Sequence, residues 1–99
     1  MLFSLMCIDK ADGAALRAAT RPAHVDYLKS AGDKIVFAGA MTDEAGETVV
    51  GSNFLLSVAD QAEAEAFAAG DPYAQEGVFG RVTLRPTRKA IWNPDKIDE

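Results

Sequence analysis

Four short apolar segments alternate with two longer segments of helical composition along the chain. The short segments span residues 2–9, 34–41, 50–58 and 78–86. Each is rich in apolar residues and bounded by polar, glycine or proline positions, which is typical of buried strands. The polar residues 42–47 between the second and third segments suit a hairpin loop. The pattern therefore predicts four strands.

The first helical segment covers residues 14–31 and is interrupted by Pro22. A proline lacks the backbone N–H that an internal helical position donates, but it is tolerated in a first turn. We therefore predict a weak first part and a firm helix from about Pro22, with Thr20 as its N-cap. Gly32 follows as the expected residue just beyond the helix end.

The second helix is predicted over residues 60–70. Asp60 and Glu63 have the spacing of a capping box at its start, and Gly70 is expected to end it. The following residues, 71–77, contain Asp-Pro and a glycine, which favour a turn or a single helical turn.

The resulting order is β-α-β-β-α-β in a single domain over residues 1–99. With right-handed crossovers, this order predicts an α+β, ferredoxin-like fold: a four-stranded antiparallel sheet with both helices on one face. The first and third strands are then central, and both carry apolar residues on both faces, among them Met6, Ile8 and Leu55. Because two helices can cover only one face, we expect the other face to be buried in a homodimer.

Composition and charge exclude several classes of protein. The 99 residues are 48% hydrophobic, which excludes intrinsic disorder, and the formal net charge is −5. An acidic chain is a poor partner for nucleic acid or an anionic membrane surface. No run approaches the roughly 20 apolar residues of a membrane span. The start of the chain lacks the features of a signal peptide, so we expect a cytoplasmic protein.

The chain contains one cysteine and one histidine. Cys7 cannot form an intrachain disulfide, and its apolar surroundings predict a buried, inert thiol. One Cys and one His make no zinc site, so no metal is expected. No phosphate-binding or dinucleotide-binding glycine motif is present, so no organic cofactor is expected either.

His24 is the only histidine, and so the only side chain whose unperturbed pKa lies near neutrality. At helical spacing it shares a face with Tyr27 and Leu28, so it should point toward the apolar side. A position in the first turn, together with partial burial, would favour the uncharged ring, which can act as a base. The alternative is a core histidine bonded to a backbone carbonyl.

Asp71 is the best candidate for a carboxylate partner of His24. It follows the end of the second helix and precedes Pro72, which favours an extended backbone there. We predict that His24 and Asp71 lie within hydrogen-bond distance, although Asp71 could also simply cap the next turn. Tyr73 is either a ligand-binding hydroxyl or an ordinary half-buried aromatic residue.

Arginines near the end of the chain could bind an acidic ligand. Arg81, Thr83 and Arg85 alternate on one side of the last strand and could hold a carboxylate, or they could form a solvated face. Trp92 either packs on the fold or lines a pocket.

Several of these segments together resemble the YCII-related family of small bacterial proteins. The resemblance covers nearly the whole chain, except for the acidic tail, residues 95–99. It rests on the order and spacing of Arg21-Pro22-Ala23-His24, Ala38-Gly39-Ala40-Met41, Gly51-Ser52, Asp71-Pro72-Tyr73, Gly77-Val78-Phe79 and Arg85.

The resemblance implies a dimeric α+β barrel with a His–Asp pair in a cleft, which falls here on His24 and Asp71. Arg21, Tyr73 and Arg85 are the residues that we predict to bind the substrate. Relatives in the wider superfamily resemble muconolactone isomerase and small cofactor-free monooxygenases, and dehydrochlorination is associated with the family.

Two hypotheses about function follow. In the first, His24 is the general acid/base and Asp71 orients it, for isomerisation or elimination on a small, aromatic-derived metabolite. In the second, the protein is a non-catalytic dimer that binds a small molecule, and His24 and Asp71 are a structural pair.

Overall fold

One antiparallel sheet of four strands forms the centre of the fold in the computed structural model, which describes residues 1–97. The strands are β1 (Leu2–Asp9), β2 (Ile35–Thr42), β3 (Val49–Ser57) and β4 (Phe79–Thr87). Their order across the sheet is β2-β3-β1-β4. The predicted ferredoxin-like arrangement, with β1 and β3 at the centre, is confirmed.

Three α-helices cover one face of this sheet. They are α1 (Ala14–Ser30), α2 (Gln61–Gly70) and the short α3 (Pro72–Gln75). Two 3₁₀ turns, Gly32–Lys34 and Pro94–Lys96, precede β2 and follow β4. Of the acidic tail, residues 98–99 lie outside the described part of the chain.

The start of α1 differs from the prediction. The helix is continuous from Ala14, with Pro22 in its interior, so the predicted start near Pro22 and the predicted Thr20 N-cap are wrong. The missing proline N–H removes one hydrogen bond of the helix, and contacts with the rest of the fold compensate for it. Arg17 forms an ion pair with Asp9 of β1 at 2.7 Å, and Thr20 is buried.

His24 consequently lies in the middle of α1 and not in a first turn. The positive end of the helix dipole is therefore too far away to favour the uncharged form of His24. The predicted end of the helix is confirmed, because Ala31 is the C-cap and Gly32 is the residue just beyond it, where the next 3₁₀ turn begins.

The start of α2 agrees with the predicted capping box. The Asp60 carboxylate accepts a hydrogen bond from the Glu63 backbone N–H at 2.9 Å. The Glu63 carboxylate accepts one from the backbone N–H of Ala59, also at 2.9 Å. Two N–H groups that no helical carbonyl can reach are thus satisfied by side chains.

The core lies between the sheet and the helices. Alternate residues of β1 and β3 point toward α1 and α2, because successive side chains of a strand point to opposite faces. The buried cluster consists of Phe3, Leu5, Cys7, Phe54, Leu56, Val58, Ala64 and Phe67.

The opposite side of the sheet, which we call the outer face, carries apolar side chains that no helix covers. Met6 of β1 is 49% exposed, and Ile8 is 37% exposed. Asn53 pairs with Met6, and Leu55 of β3 pairs with Ser4 on this same face. The sequence-based expectation of apolar residues on both faces of the central strands agrees with this arrangement.

Gly51 lies so close to the backbone of β1 that it should not tolerate a side chain. A Cβ atom added to Gly51 of β3 would overlap the Cys7 carbonyl oxygen and lie 2.7 Å from Met41 Cε. We expect Gly51→Ala to lower the free energy of unfolding by about 1–3 kcal/mol, because a packed backbone cannot move aside. Chemical denaturation measures the effect. The control is Gly32→Ala, where a Cβ meets nothing within 4 Å and should cost nothing.

We expect the buried thiol of Cys7 to lower the free energy of unfolding at high pH. Burial is the main cause that raises the pKa of its thiol from 9.0 to about 12, and the Asp71 and Asp9 carboxylates add to the shift. Between these values the folded protein retains a proton that the unfolded chain has lost, so stability falls as the pH rises from 9 to 12. Denaturation of the protein and of a Cys7→Ala variant at several pH values isolates this contribution. Equal pH slopes for the two proteins would contradict it.

Candidate functional site

A cavity of about 170 Å³ opens between α1 and the β2–β3 half of the sheet. Small residues, Ala38, Gly39 and Ala40, form its wall on β2. Its chemistry-bearing lining comes from three other elements: Arg21 and His24 of α1, Ser52 and Phe54 of β3, and Tyr73 of α3. The two segments that sequence reasoning singled out, around His24 and around Asp71, therefore meet at one place.

His24 and Asp71 form the hydrogen bond that the sequence predicts. His24 Nδ1 lies 2.8 Å from Asp71 Oδ1, although the two residues are 47 positions apart. Both are buried, with 8% and 2% of their surface exposed. The partner of His24 is thus a carboxylate and not the backbone carbonyl of the alternative interpretation.

A single oxygen of Asp71 serves both roles proposed for this residue. Oδ1 accepts the hydrogen bond from His24 and another from the Tyr73 backbone N–H at 2.9 Å, which caps α3. A carboxylate has no hydrogen to donate, so the hydrogen of the His24–Asp71 bond belongs to Nδ1. This assignment fixes the ring orientation and leaves Nε2 as the nitrogen with a lone pair.

Nε2 of His24 is open to the cavity. Within residues 1–97, every fully buried side-chain nitrogen or oxygen has a hydrogen-bond partner. Nε2 makes no hydrogen bond in that part of the chain, so it is accessible, and His24 lines the cavity. A ligand there would meet the lone pair of an oriented imidazole.

Tyr73 holds the imidazole ring in place from the side. Its ring is stacked on His24, with the ring centres 3.9 Å apart and the planes 16° from parallel. Phe54 packs edge-on against the same imidazole, with the two ring centres 6.4 Å apart. Tyr73 is only 1% exposed, so it is a fully buried core residue, whereas the sequence-based alternative was a half-buried aromatic residue.

Arg17, together with Asp9 and Ser52, is the part of the site that sequence reasoning missed. Arg17 Nε donates to Asp9 at 2.7 Å, and its Nη2 donates to the Ser52 hydroxyl at 2.6 Å. Its guanidinium also lies over the Tyr73 ring, 4.4 Å from the ring centre. The available signal was spacing, because Arg17 precedes His24 by two helical turns and so shares its face.

The arginines predicted to bind substrate lie in different places. Arg21 lines the cavity, one turn of α1 before His24. Arg85 does not reach the cavity, because it pairs with Ser4 of β1 and points to the outer face. There it lines a separate depression with Met6 and Arg81. Trp92 is 47% exposed and does not line the cavity.

In the described residues, no three His, Cys, Asp or Glu side chains come close enough to hold a metal ion together. No helix in residues 1–97 has both the length and the apolar character needed to cross a membrane.

Comparison with known proteins places this chain in a family. The sequence profile of the YCII-related domain matches residues 1–88. The chain belongs to the YCII-related family. Protein YciI of Escherichia coli O6:H1 and that of Shigella flexneri are each 31% identical to it over 98 residues. Each alignment covers 92% of this chain and all of the relative.

A solved structure shows the same fold as this YCII-related chain. It is 5-chloro-2-hydroxyhydroquinone dehydrochlorinase (TftG) of Burkholderia phenoliruptrix AC1100, in complex with 2,5-dihydroxybenzoquinone. The TM-score is 0.84 over 89% of this chain and 94% of TftG, at 23% sequence identity. The predicted α+β, ferredoxin-like fold class is thereby confirmed.

Proposed function

We propose that this protein is an enzyme in which His24 is the general acid/base and Asp71 holds it in position. The observation that carries the proposal is the 2.8 Å bond from Nδ1 to Asp71, which leaves Nε2 facing the cavity. A positioned imidazole typically contributes about 10²–10⁴-fold to a reaction limited by proton transfer. The chemistry that suits it is isomerisation or elimination beside a carbonyl or phenol.

The elimination can be written with His24 as the only proton carrier. Nε2 takes a proton from a ring hydroxyl and returns it to the chlorine-bearing carbon, so that the oxygen becomes a ketone and that carbon becomes tetrahedral. Nε2 then takes a proton from a second hydroxyl, the released electron pair forms a carbonyl and shifts the ring double bond, and chloride leaves with the pair of the carbon–chlorine bond. The products are HCl and a hydroxyquinone, and isomerisation is the first of these two steps alone.

The cavity supports a small cyclic substrate. Its volume of about 170 Å³ suits one six-membered ring with a few substituents, since a 150 Å³ cavity in another protein binds benzene. Arg21 supplies a positive charge beside it, which favours a phenolate, enolate or carboxylate. That TftG was solved with a hydroxylated quinone is in keeping with this class of ligand.

We also propose that the protein acts as a homodimer, with the outer faces of two sheets packed together. Burial of apolar surface contributes about 25 cal/mol per Å². Covering Met6, Ile8 and Leu55 would therefore favour dimer formation substantially. An isologous contact would bring the same side chains of both subunits together. A reducing cytoplasm suits the protein, because its single cysteine is buried and unpaired.

The direct test is to incubate the purified protein with 5-chloro-2-hydroxyhydroquinone and its chlorine-free analogue, without added metal or cofactor. We expect chloride release from the first, and exchange of ring hydrogen for deuterium in D₂O with the second. A ligand that raises the melting temperature but is never converted or exchanged, across both compounds, would favour the non-catalytic binding protein instead.

A further inference from the structure

We propose that the hydroxyl of Ser52 stabilises the negative oxygen that forms on the ligand when His24 removes a proton. The proposal rests on the proposed function, since it assigns the second half of the same reaction. In it, Ser52 donates a hydrogen bond and keeps its proton. Arg17 and Asp9 are positioning residues that hold the hydroxyl for this task.

The hydrogen of the Ser52 hydroxyl is available to a ligand. Ser52 is 3% exposed, and its oxygen accepts a hydrogen bond from Arg17 Nη2 at 2.6 Å. Its own hydrogen has no acceptor among residues 1–97, although buried donors are almost always paired. Ser52 also lines the His24 cavity. A ligand oxygen there would complete its hydrogen bonding.

Arg17 and its contacts fix the direction in which the Ser52 hydroxyl donates. Arg17 is itself held by both oxygens of Asp9, at 2.7 Å and 3.4 Å, and by the Tyr73 ring beneath its guanidinium. With one lone pair of the Ser52 oxygen engaged by Arg17, its hydrogen points away from the guanidinium. A hydroxyl that accepts a bond from a cation is also a stronger donor, because neighbouring hydrogen bonds polarise one another.

The same contact argues against Ser52 as a nucleophile. A serine nucleophile needs a base that accepts its proton, as histidine does in hydrolases. Here the neighbour of the oxygen is a guanidinium, which only donates. A donor aimed at developing negative charge is the remaining chemistry, and such donors act with little reorganisation during the reaction.

The site therefore has two sides with opposite roles. Nε2 of His24 accepts the proton, and the electron pair left behind moves toward the ligand oxygen. The Ser52 hydroxyl donates to that oxygen, and this hydrogen bond strengthens as the charge grows. A substrate must then carry an oxygen that becomes negative in conjugation with the position that loses the proton.

Binding of an anion measures this role without any turnover. The probe is 2,5-dihydroxybenzoquinone, which is anionic at neutral pH, and hydroquinone is its uncharged counterpart. We expect Ser52→Ala to weaken binding of the anion about 10- to 100-fold, the usual range for a hydrogen bond to a charged group. Binding of hydroquinone should change less than about threefold. Isothermal titration calorimetry gives both values.

Two further variants keep the test independent of folding. Ser52→Cys keeps the shape of the side chain, with a slightly larger atom, but offers a weak donor, so it should weaken anion binding nearly as much as Ser52→Ala. Ser57→Ala makes the same change at an exposed position of β3 and should leave binding unchanged. Melting curves verify that each variant is folded.

The outcomes separate this inference from the proposed function. Anion binding that is equal in the Ser52 variants and the unaltered protein overturns the role of Ser52, as does a failure of the unaltered protein to bind the anion. Weakened binding in the Ser52 variants supports Ser52 as the donor to a negative ligand oxygen, even where chloride release and deuterium exchange are absent. That last combination would overturn the catalytic role of His24 alone.

Discussion

Replacing His24 with asparagine should lower turnover about 10²–10⁴-fold while the protein remains folded. The asparagine side-chain N–H can take the place of Nδ1–H and still donate to Asp71. The lone pair at the Nε2 position is lost, and no other histidine exists in the chain to replace it. Steady-state chloride release and deuterium exchange measure the effect.

A control on the same helix distinguishes lost chemistry from lost stability. Tyr27 lies on α1, and its hydroxyl donates to the Phe67 carbonyl at 2.9 Å, away from the cavity lining. Tyr27→Phe should cost about 1 kcal/mol of unfolding free energy and leave turnover unchanged. A folded His24→Asn variant with turnover within about threefold of the unaltered protein would contradict the role of His24.

Introducing a charge on the outer face should separate the proposed dimer into monomers. Met6 lies at the middle of a central strand and is 49% exposed in the single chain. Burial of an unpaired carboxylate costs several kcal/mol, so we expect Met6→Asp to raise the dimer dissociation constant at least about 100-fold. Sedimentation velocity at micromolar concentration shows the shift.

The matched control for this change is Val82→Asp. Val82 is also 49% exposed, but it lies on edge strand β4 beside Leu84, on the helix side of the sheet. A dimer built from the outer faces should tolerate that substitution. A stable monomer of the unaltered protein at micromolar concentration would contradict the proposed assembly.

The fold could be predicted because its elements are encoded by local sequence patterns. These patterns, which each span only a few residues, are the apolar segments of β1 and β3 and the capping pair of α2. The approach of His24 and Asp71 could also be predicted, since the topology brings α1 and the end of α2 to the same face of the sheet.

Other features depended on contacts between distant parts of the chain. Pro22 predicted a break in α1, but the ion pair of Arg17 with Asp9 stabilises the turn before it. Arg17 of the same ion pair also donates a hydrogen bond to the Ser52 hydroxyl. The sequence around Ser52 does not indicate this contact. Arg85 matched a family pattern, yet its register against Ser4 places it on the outer face. Register is set by pairing along the whole strand and cannot be inferred from one residue.

The most direct test is the position of the hydrogen on the imidazole ring of His24. Because the chain has one histidine, a long-range ¹H–¹⁵N correlation spectrum of uniformly ¹⁵N-labelled protein shows only this ring. At a pH where the ring is uncharged, we expect hydrogen on Nδ1, bonded to Asp71, and a bare Nε2 whose signal shifts when 2,5-dihydroxybenzoquinone binds. A ring with hydrogen on Nε2, or one unaffected by the ligand, would contradict His24 as the base.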